Sequence, residues 1–71
     1  MTNLITEVGR ALYGARWQSE MARELSVNER TVRRWAAGEY DVPAGVLAEL
    51  RAVSTKRLRT IATLRAKLGF A

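Results

Sequence analysis

The chain has 71 residues, with 12 Lys and Arg against 7 Asp and Glu, no His and no Cys, giving a formal net charge of +5. A single small domain is expected, and its composition excludes disulfides, thiolate metal sites and any catalytic or zinc chemistry that needs imidazole. A chain this short buries only about 60% of its unfolded surface, so association with a second copy is a common remedy for a thin core. The charge is uneven: residues 1–50 hold six basic residues and all seven acids, whereas residues 51–71 hold six basic residues and no acid.

In chain order, Asn3 is placed to cap a helix whose apolar residues Leu4, Ile5, Val8, Ala11 and Leu12 follow a 3.6-residue period, with Gly14 as its terminator at positive φ. A second apolar pattern, Met21, Ala22 and Leu25, follows Gln18 and stops near Ser26. The third, Val32, Trp35 and Ala36, starts after Asn28 and ends at Gly38. Residues 38–43 form a connector, and Pro43 suits the first turn of another helix. From Val46 to Leu68 there is neither Gly nor Pro, and Val46, Leu50, Val53, Leu58, Ile61, Leu64 and Leu68 keep one helical phase. One long or kinked helix is favoured over two helices broken at Ser54-Thr55. No strand pattern, internal repeat or low-complexity segment occurs. The expected fold is all-α with four to five helices. No membrane-length apolar run or secretory signal pattern is present, so a cytoplasmic location is expected.

Residues 18–35 carry the most specific pattern. A short helix with Met21, Ala22 and Leu25 is followed by a tight turn, Val27, and a second helix anchored by Val32 and Trp35. Two helices crossing steeply need a small residue where they touch, here Ala22, and larger side chains behind it. With the Gly38–Pro43 segment that follows, this resembles the helix-turn-helix of the Cro and lambda-repressor family, over roughly residues 4–53. Two departures stand out. The turn has Ser26 where the family usually has Gly, and Trp17 occupies the place that Ser or Thr commonly takes as N-cap. The division expected is a DNA-binding core at residues 1–53, with its motif at 18–37, and a basic amphipathic helix for dimerisation at 54–71.

The second helix of the motif is the expected recognition helix. With Val32 and Trp35 turned inward, Arg30, Arg33 and Arg34 lie within about 50° of the opposite direction. A guanidinium donates two parallel hydrogen bonds to guanine, so three arginines on one outward face fit major-groove reading. Asn28 and Glu29 occupy the tip that enters the groove. Asn28 is also a helix cap, and Glu29 has the alternative of pairing with Arg33 one turn on. These five residues are the candidate base contacts. The resemblance implies a phosphate contact at Gln18, with Arg16, Ser19, Thr31 and Tyr40 as neighbours able to join it; such contacts set register and not sequence. Trp17 and Trp35 are read as packing residues.

In the C-terminal segment Leu58, Ile61, Leu64 and Leu68 form the expected dimerisation stripe. Arg57 and Arg65 fall inside it, so a parallel two-helix coil would set Arg57 against its own copy. An antiparallel pair, or packing onto the first helix of a second copy with Glu7 or Glu49 as acid partners, avoids this. The function expected is a homodimeric, sequence-specific repressor on an inverted-repeat operator in double-stranded DNA, of the autoregulatory phage or mobile-element kind, with no cofactor, no metal and no enzymatic activity. The alternative is a protein-interaction module, an antitoxin or adaptor, that uses the basic C-terminal helix.

Overall fold

The computed structural model describes residues 3–69, of which Asn3 is the first. Its side-chain oxygen accepts from the Thr6 backbone N–H at 3.1 Å and from the Thr6 hydroxyl at 2.8 Å, capping helix α1, Leu4–Tyr13. This satisfies one free amide of the first turn and allows Thr6 to be buried with its hydroxyl paired. The Asn3 amide then donates to the carbonyls of Trp35 and Ala36, at 2.9 and 3.1 Å. One side chain therefore starts the first helix and ties it to the end of the third.

Gly14, with φ 79°, ends α1 and opens a 3-10 turn, Gly14–Arg16, that leads into α2, Trp17–Leu25. The N-cap of α2 is Arg16 and not Trp17; Trp17 is the first helical residue and is buried in the core. The reason lies in Gly9. A Cβ there would overlap Cε3 of Trp17, so the indole packs against α1 where only a glycine leaves room. A glycine inside a helix costs about 1 kcal/mol relative to Ala, and burial of the indole against the helix backbone offsets that cost. The place expected for a cap is thus taken by a core residue, and α2 starts with no side-chain cap.

The ends of α2 and α3, Glu29–Ala37, are built alike. At the first, Val27 N–H donates to Ala22 O at 2.9 Å and Ser26 N–H to Arg23 O at 3.3 Å; at the second, Glu39 N–H donates to Arg34 O at 3.0 Å and Gly38 N–H to Trp35 O at 3.1 Å. Both are Schellman closures, which require a left-handed residue. Gly38 supplies it at φ 78° without strain, whereas Ser26 adopts φ 56° at a cost of about 1 kcal/mol. Serine in this position adds strain to the turn while the Schellman geometry is kept.

After α3 the chain passes through residues 38–43 and enters α4, Ala44–Leu68, with Pro43 as its N-cap. This is one unbroken helix. Ser54 and Thr55 do not interrupt it because their hydroxyls donate to the carbonyls four residues back, Leu50 O at 2.8 Å and Arg51 O at 3.0 Å. The core comprises Ile5, Trp17, Met21, Ala22, Val32, Trp35 and Leu50, with Met21 and Val32 wholly enclosed. Only the first part of α4 contributes to it, and every described residue from Thr55 to Gly69 is exposed. The molecule measures 45 × 23 × 20 Å, the long dimension reflecting a 25-residue helix about 37 Å in length. The described residues are thus an all-helical core with a protruding C-terminal helix, and no strand occurs among them.

Arg57 is exposed yet already engaged within its own chain: its Nη1 donates to Leu12 O at 2.7 Å, closing the carbonyl end of α1. A cation at that end also meets the negative pole of the helix dipole. Periodicity places Arg57 on the apolar stripe, and Leu12 O is the partner it finds there within its own chain.

Candidate nucleic-acid interface

Helix α3 buries Val32 and Trp35, and this fixes which side chains point away from the core. Asn28, Glu29, Arg30, Arg33 and Ala37 are exposed, while Thr31 and Arg34 are half-buried. The five expected base-contact residues therefore lie on the outward side and on the N-terminal tip of one short helix.

Their side chains are held differently. Asn28 Oδ1 accepts from the Arg30 backbone N–H at 2.8 Å, so Asn28 acts as the cap of α3. Glu29 pairs with Arg33 at 3.2 Å, the arrangement its one-turn spacing allows. Arg34 is braced from the C-terminal side: its Nε lies 4.0 Å from Glu39 Oε2, and its guanidinium carbon sits 5.4 Å from the Tyr40 ring centroid. Arg30 makes no ion pair among the described residues. Exposed pairs of this kind contribute about 0–1 kcal/mol, and a cation over an exposed ring about 0.5–1 kcal/mol. Arg33 and Arg34 are thus oriented without being locked, and Arg30 is the most available donor.

Glu39 was not anticipated as a site residue. It follows the end of α3 and has no place in a helical period. The Schellman closure at Gly38 turns the chain so that the Glu39 N–H bonds Arg34 O, and its carboxylate returns beside the Arg34 guanidinium. A glycine at the helix end four residues after Arg34, with an acid directly following it, was the available signal.

The expected phosphate contacts form a looser set. Arg16 is exposed at the N-cap of α2, and Gln18 and Ser19 are half-buried in its first turn, where the backbone amides lack a side-chain cap. Thr31 lies in the first turn of α3, and Tyr40, 55% exposed, stands just past its end beside Arg34. Tyr40 is therefore tied to the arginine face, while Arg16, Gln18 and Ser19 belong to the start of the preceding helix.

At the opposite end of the molecule, Leu58, Ile61, Leu64 and Leu68 are 70%, 54%, 48% and 76% exposed. They share one side of α4 beyond the core, in phase with Leu50. Where α4 leaves the core, Glu24 shares a groove with Val53, Lys56, Arg57 and Thr60. The Tyr13 hydroxyl donates to Glu24 Oε1 at 3.3 Å, and burial, followed by the neighbouring Glu24 carboxylate, pushes the Tyr13 pKa up to about 12.

No group of three or more potential metal ligands lies together among the described residues, and none of their helices is long and apolar enough to cross a membrane. No protein family, curated protein or solved structure matches the chain.

Proposed function

We propose that this chain is a sequence-specific double-stranded DNA-binding protein of the lambda-repressor-like helix-turn-helix type, in which α2 and α3 form the motif and α3 reads the major groove. One observation carries the reading. Val32 and Trp35 pin one side of a nine-residue helix to the core, and the other side presents Arg30, Arg33 and Arg34 behind an Asn28-Glu29 tip. An α-helix is about 10–12 Å across with its side chains and so fits a major groove about 12 Å wide, and the exposed Ala37 allows close approach. Arg30 and Arg33 donate to guanine edges in this reading. Arg34 joins them at the base edges with Asn28 and Glu29 at the tip, Thr31 and Tyr40 serve the backbone nearby, and Arg16, Gln18 and Ser19 bind phosphate from the start of α2.

The chain acts as a homodimer through the exposed stripe of α4, and two recognition helices require an inverted repeat. A transcriptional repressor that regulates its own operon, as in phages and mobile elements, is the biological role this arrangement suits. No catalytic function is proposed. The test is a mobility-shift assay against the DNA flanking its own gene. Arg30→Ala and Arg33→Ala should each reduce operator affinity by about 5- to 150-fold, equivalent to about 1–3 kcal/mol, while leaving the helical signal and the dimer intact.

The protrusion of α4 favours a second reading, a protein-interaction module such as an antitoxin or adaptor whose basic helix engages an acidic protein. In that case removal of residues 54–71 abolishes function while the two arginine substitutions have little effect.

A further inference from the structure

We propose that Glu39 is a positioning residue that sets base specificity at Arg34: with Tyr40 it holds the guanidinium so that the two Nη groups, and not the Nε edge, are offered to the major groove. This rests on the DNA-binding reading above and assigns the geometry of one base contact to residues outside the motif helices. The three outward arginines of α3 are held in three different ways. Arg30 makes no ion pair among the described residues, and Arg33 has its Nη1 engaged by Glu29 at 3.2 Å. Arg34 has a carboxylate on its Nε side, Glu39 Oε2 at 4.0 Å, and an aromatic ring against its face, with the guanidinium carbon 5.4 Å from the Tyr40 centroid.

The chain delivers both partners to this one side chain through the end of the helix. Gly38 closes α3 in the left-handed region at φ 78°, and the closure bonds Glu39 N–H to Arg34 O at 3.0 Å. Glu39 is therefore tied by its backbone to the same residue whose guanidinium its carboxylate faces, and Tyr40 follows directly. Tyr40 takes part with its ring and keeps its hydroxyl for the backbone contact proposed above.

The consequence is a choice of hydrogen-bonding edge. A guanidinium meets a pair of acceptors either through Nε and one Nη or through both Nη groups, and guanine O6 and N7 accept such a fork. A carboxylate beside Nε leaves the end-on fork clear. Arg34 is half-buried and stands about 50° from the outward direction of α3, so an unbraced side chain there is free to swing to the phosphates instead. Ordering it before binding lessens the freedom lost when the fork forms. The Glu39 carboxylate also repels DNA phosphates of any sequence, so general attraction is weakened where discrimination is gained.

Binding selection from randomised duplexes tests this, using the unmodified chain and Arg34→Ala, Glu39→Ala, Tyr40→Ala and Tyr40→Phe variants whose helical signal is unchanged. The unmodified chain should enrich a site in which Arg34→Ala abolishes the preference for one guanine. Glu39→Ala should weaken that preference, and no other, by about 2- to 5-fold, the scale of an exposed ion pair. Its binding to a scrambled duplex should strengthen, with the slope of log K against log salt steeper by up to about 1. Tyr40→Ala should weaken the same preference, whereas Tyr40→Phe, which keeps the ring, should retain it. In an Arg34→Ala background Glu39→Ala should alter no base preference. A change that is uniform across all positions, or a fall in thermal stability with the preference intact, reduces Glu39 to a surface charge or a helix-end residue and overturns the proposal. So does a site in which Arg34→Ala alters no base while Arg30→Ala does, an outcome that leaves the DNA-binding reading standing. Enrichment of no sequence by the unmodified chain overturns that reading itself, and this assignment with it.

Discussion

Ser26 shows most directly how one side chain bears on stability without touching the site. It completes a Schellman closure in the left-handed region, at φ 56° and ψ 42°, with its side chain exposed. Ser26→Gly should therefore stabilise the fold by up to about 1 kcal/mol, raising the midpoint of thermal unfolding by about 4–8 °C for a domain of this size. Operator affinity should not change, because α3 remains docked through Val32 and Trp35. Asn3 provides the opposite case. Asn3→Asp keeps the cap oxygen for Thr6 but replaces the amide that donates to the Trp35 and Ala36 carbonyls with an acceptor. The loss should be about 1–3 kcal/mol in denaturant unfolding, and larger than for a cap substitution alone. The cap itself was legible from Asn3 preceding an apolar period. Its second role was not, since nothing local in a sequence links residue 3 to carbonyls more than thirty residues away.

At the scale of elements, what could be read in advance was whatever repeats with the helical period. The inward anchors Val32 and Trp35 and the outward arginines of α3 follow from spacing alone, as does the continuity of α4. Contacts made where helices end were not legible: Trp17 on Gly9, Arg57 on Leu12 O and Glu39 on Arg34 each depend on how one element meets another. Within α3, the Glu29–Arg33 pair leads to a sharp expectation. Glu29→Gln releases Arg33 from a competing carboxylate and, in the proposed complex, removes a negative charge near the DNA phosphates. Affinity for random-sequence DNA should rise, with the slope of log K against log salt steeper by about 1, and the preference for the operator should fall. A mobility-shift series over salt, with operator and scrambled duplexes, measures both.

The junction of α1, α2 and α4 can be followed through Tyr13. Its pKa is raised from 10.0 to about 12, first by burial and then by the Glu24 carboxylate that accepts from its hydroxyl, against an opposing effect of Arg57. A phenol whose folded-state value lies above the unfolded one favours the fold fully below pH 10. That contribution is lost as pH rises through the window from about 10 to 12. Glu24→Gln should lower the Tyr13 value toward 10 without reaching it, because burial remains. Tyrosinate absorbance in a Tyr40→Phe background, where Tyr13 is the only phenol left, follows that titration directly.

For the whole molecule, net charge and the proposed recognition face lie apart. The +5 excess resides in α4, beyond α2 and α3, while residues 1–50 carry one more acid than base and present three arginines together on α3. In the proposed function two tasks are separated along the molecule's 45 Å length: a small core orients α3, and a protruding helix carries an aliphatic stripe that its own chain leaves uncovered. Ile61→Asp tests that separation. Residue 61 is 54% exposed and makes no core contact, so the substitution should leave the protomer's helical signal and the shielding of Trp17 and Trp35 unchanged. In a dimer it places two carboxylates near the axis of an apolar seam, where unpaired charges cost several kcal/mol. Sedimentation should then show monomers at concentrations where the unmodified chain is dimeric. Because binding the two half-sites through one dimer is lost with the seam, operator affinity should fall to that of a single weak half-site. An Ile61→Asp chain that remains dimeric and binds the full operator with unchanged affinity would show that the stripe is not the seam and that the two halves of α4 do not divide the work in this way.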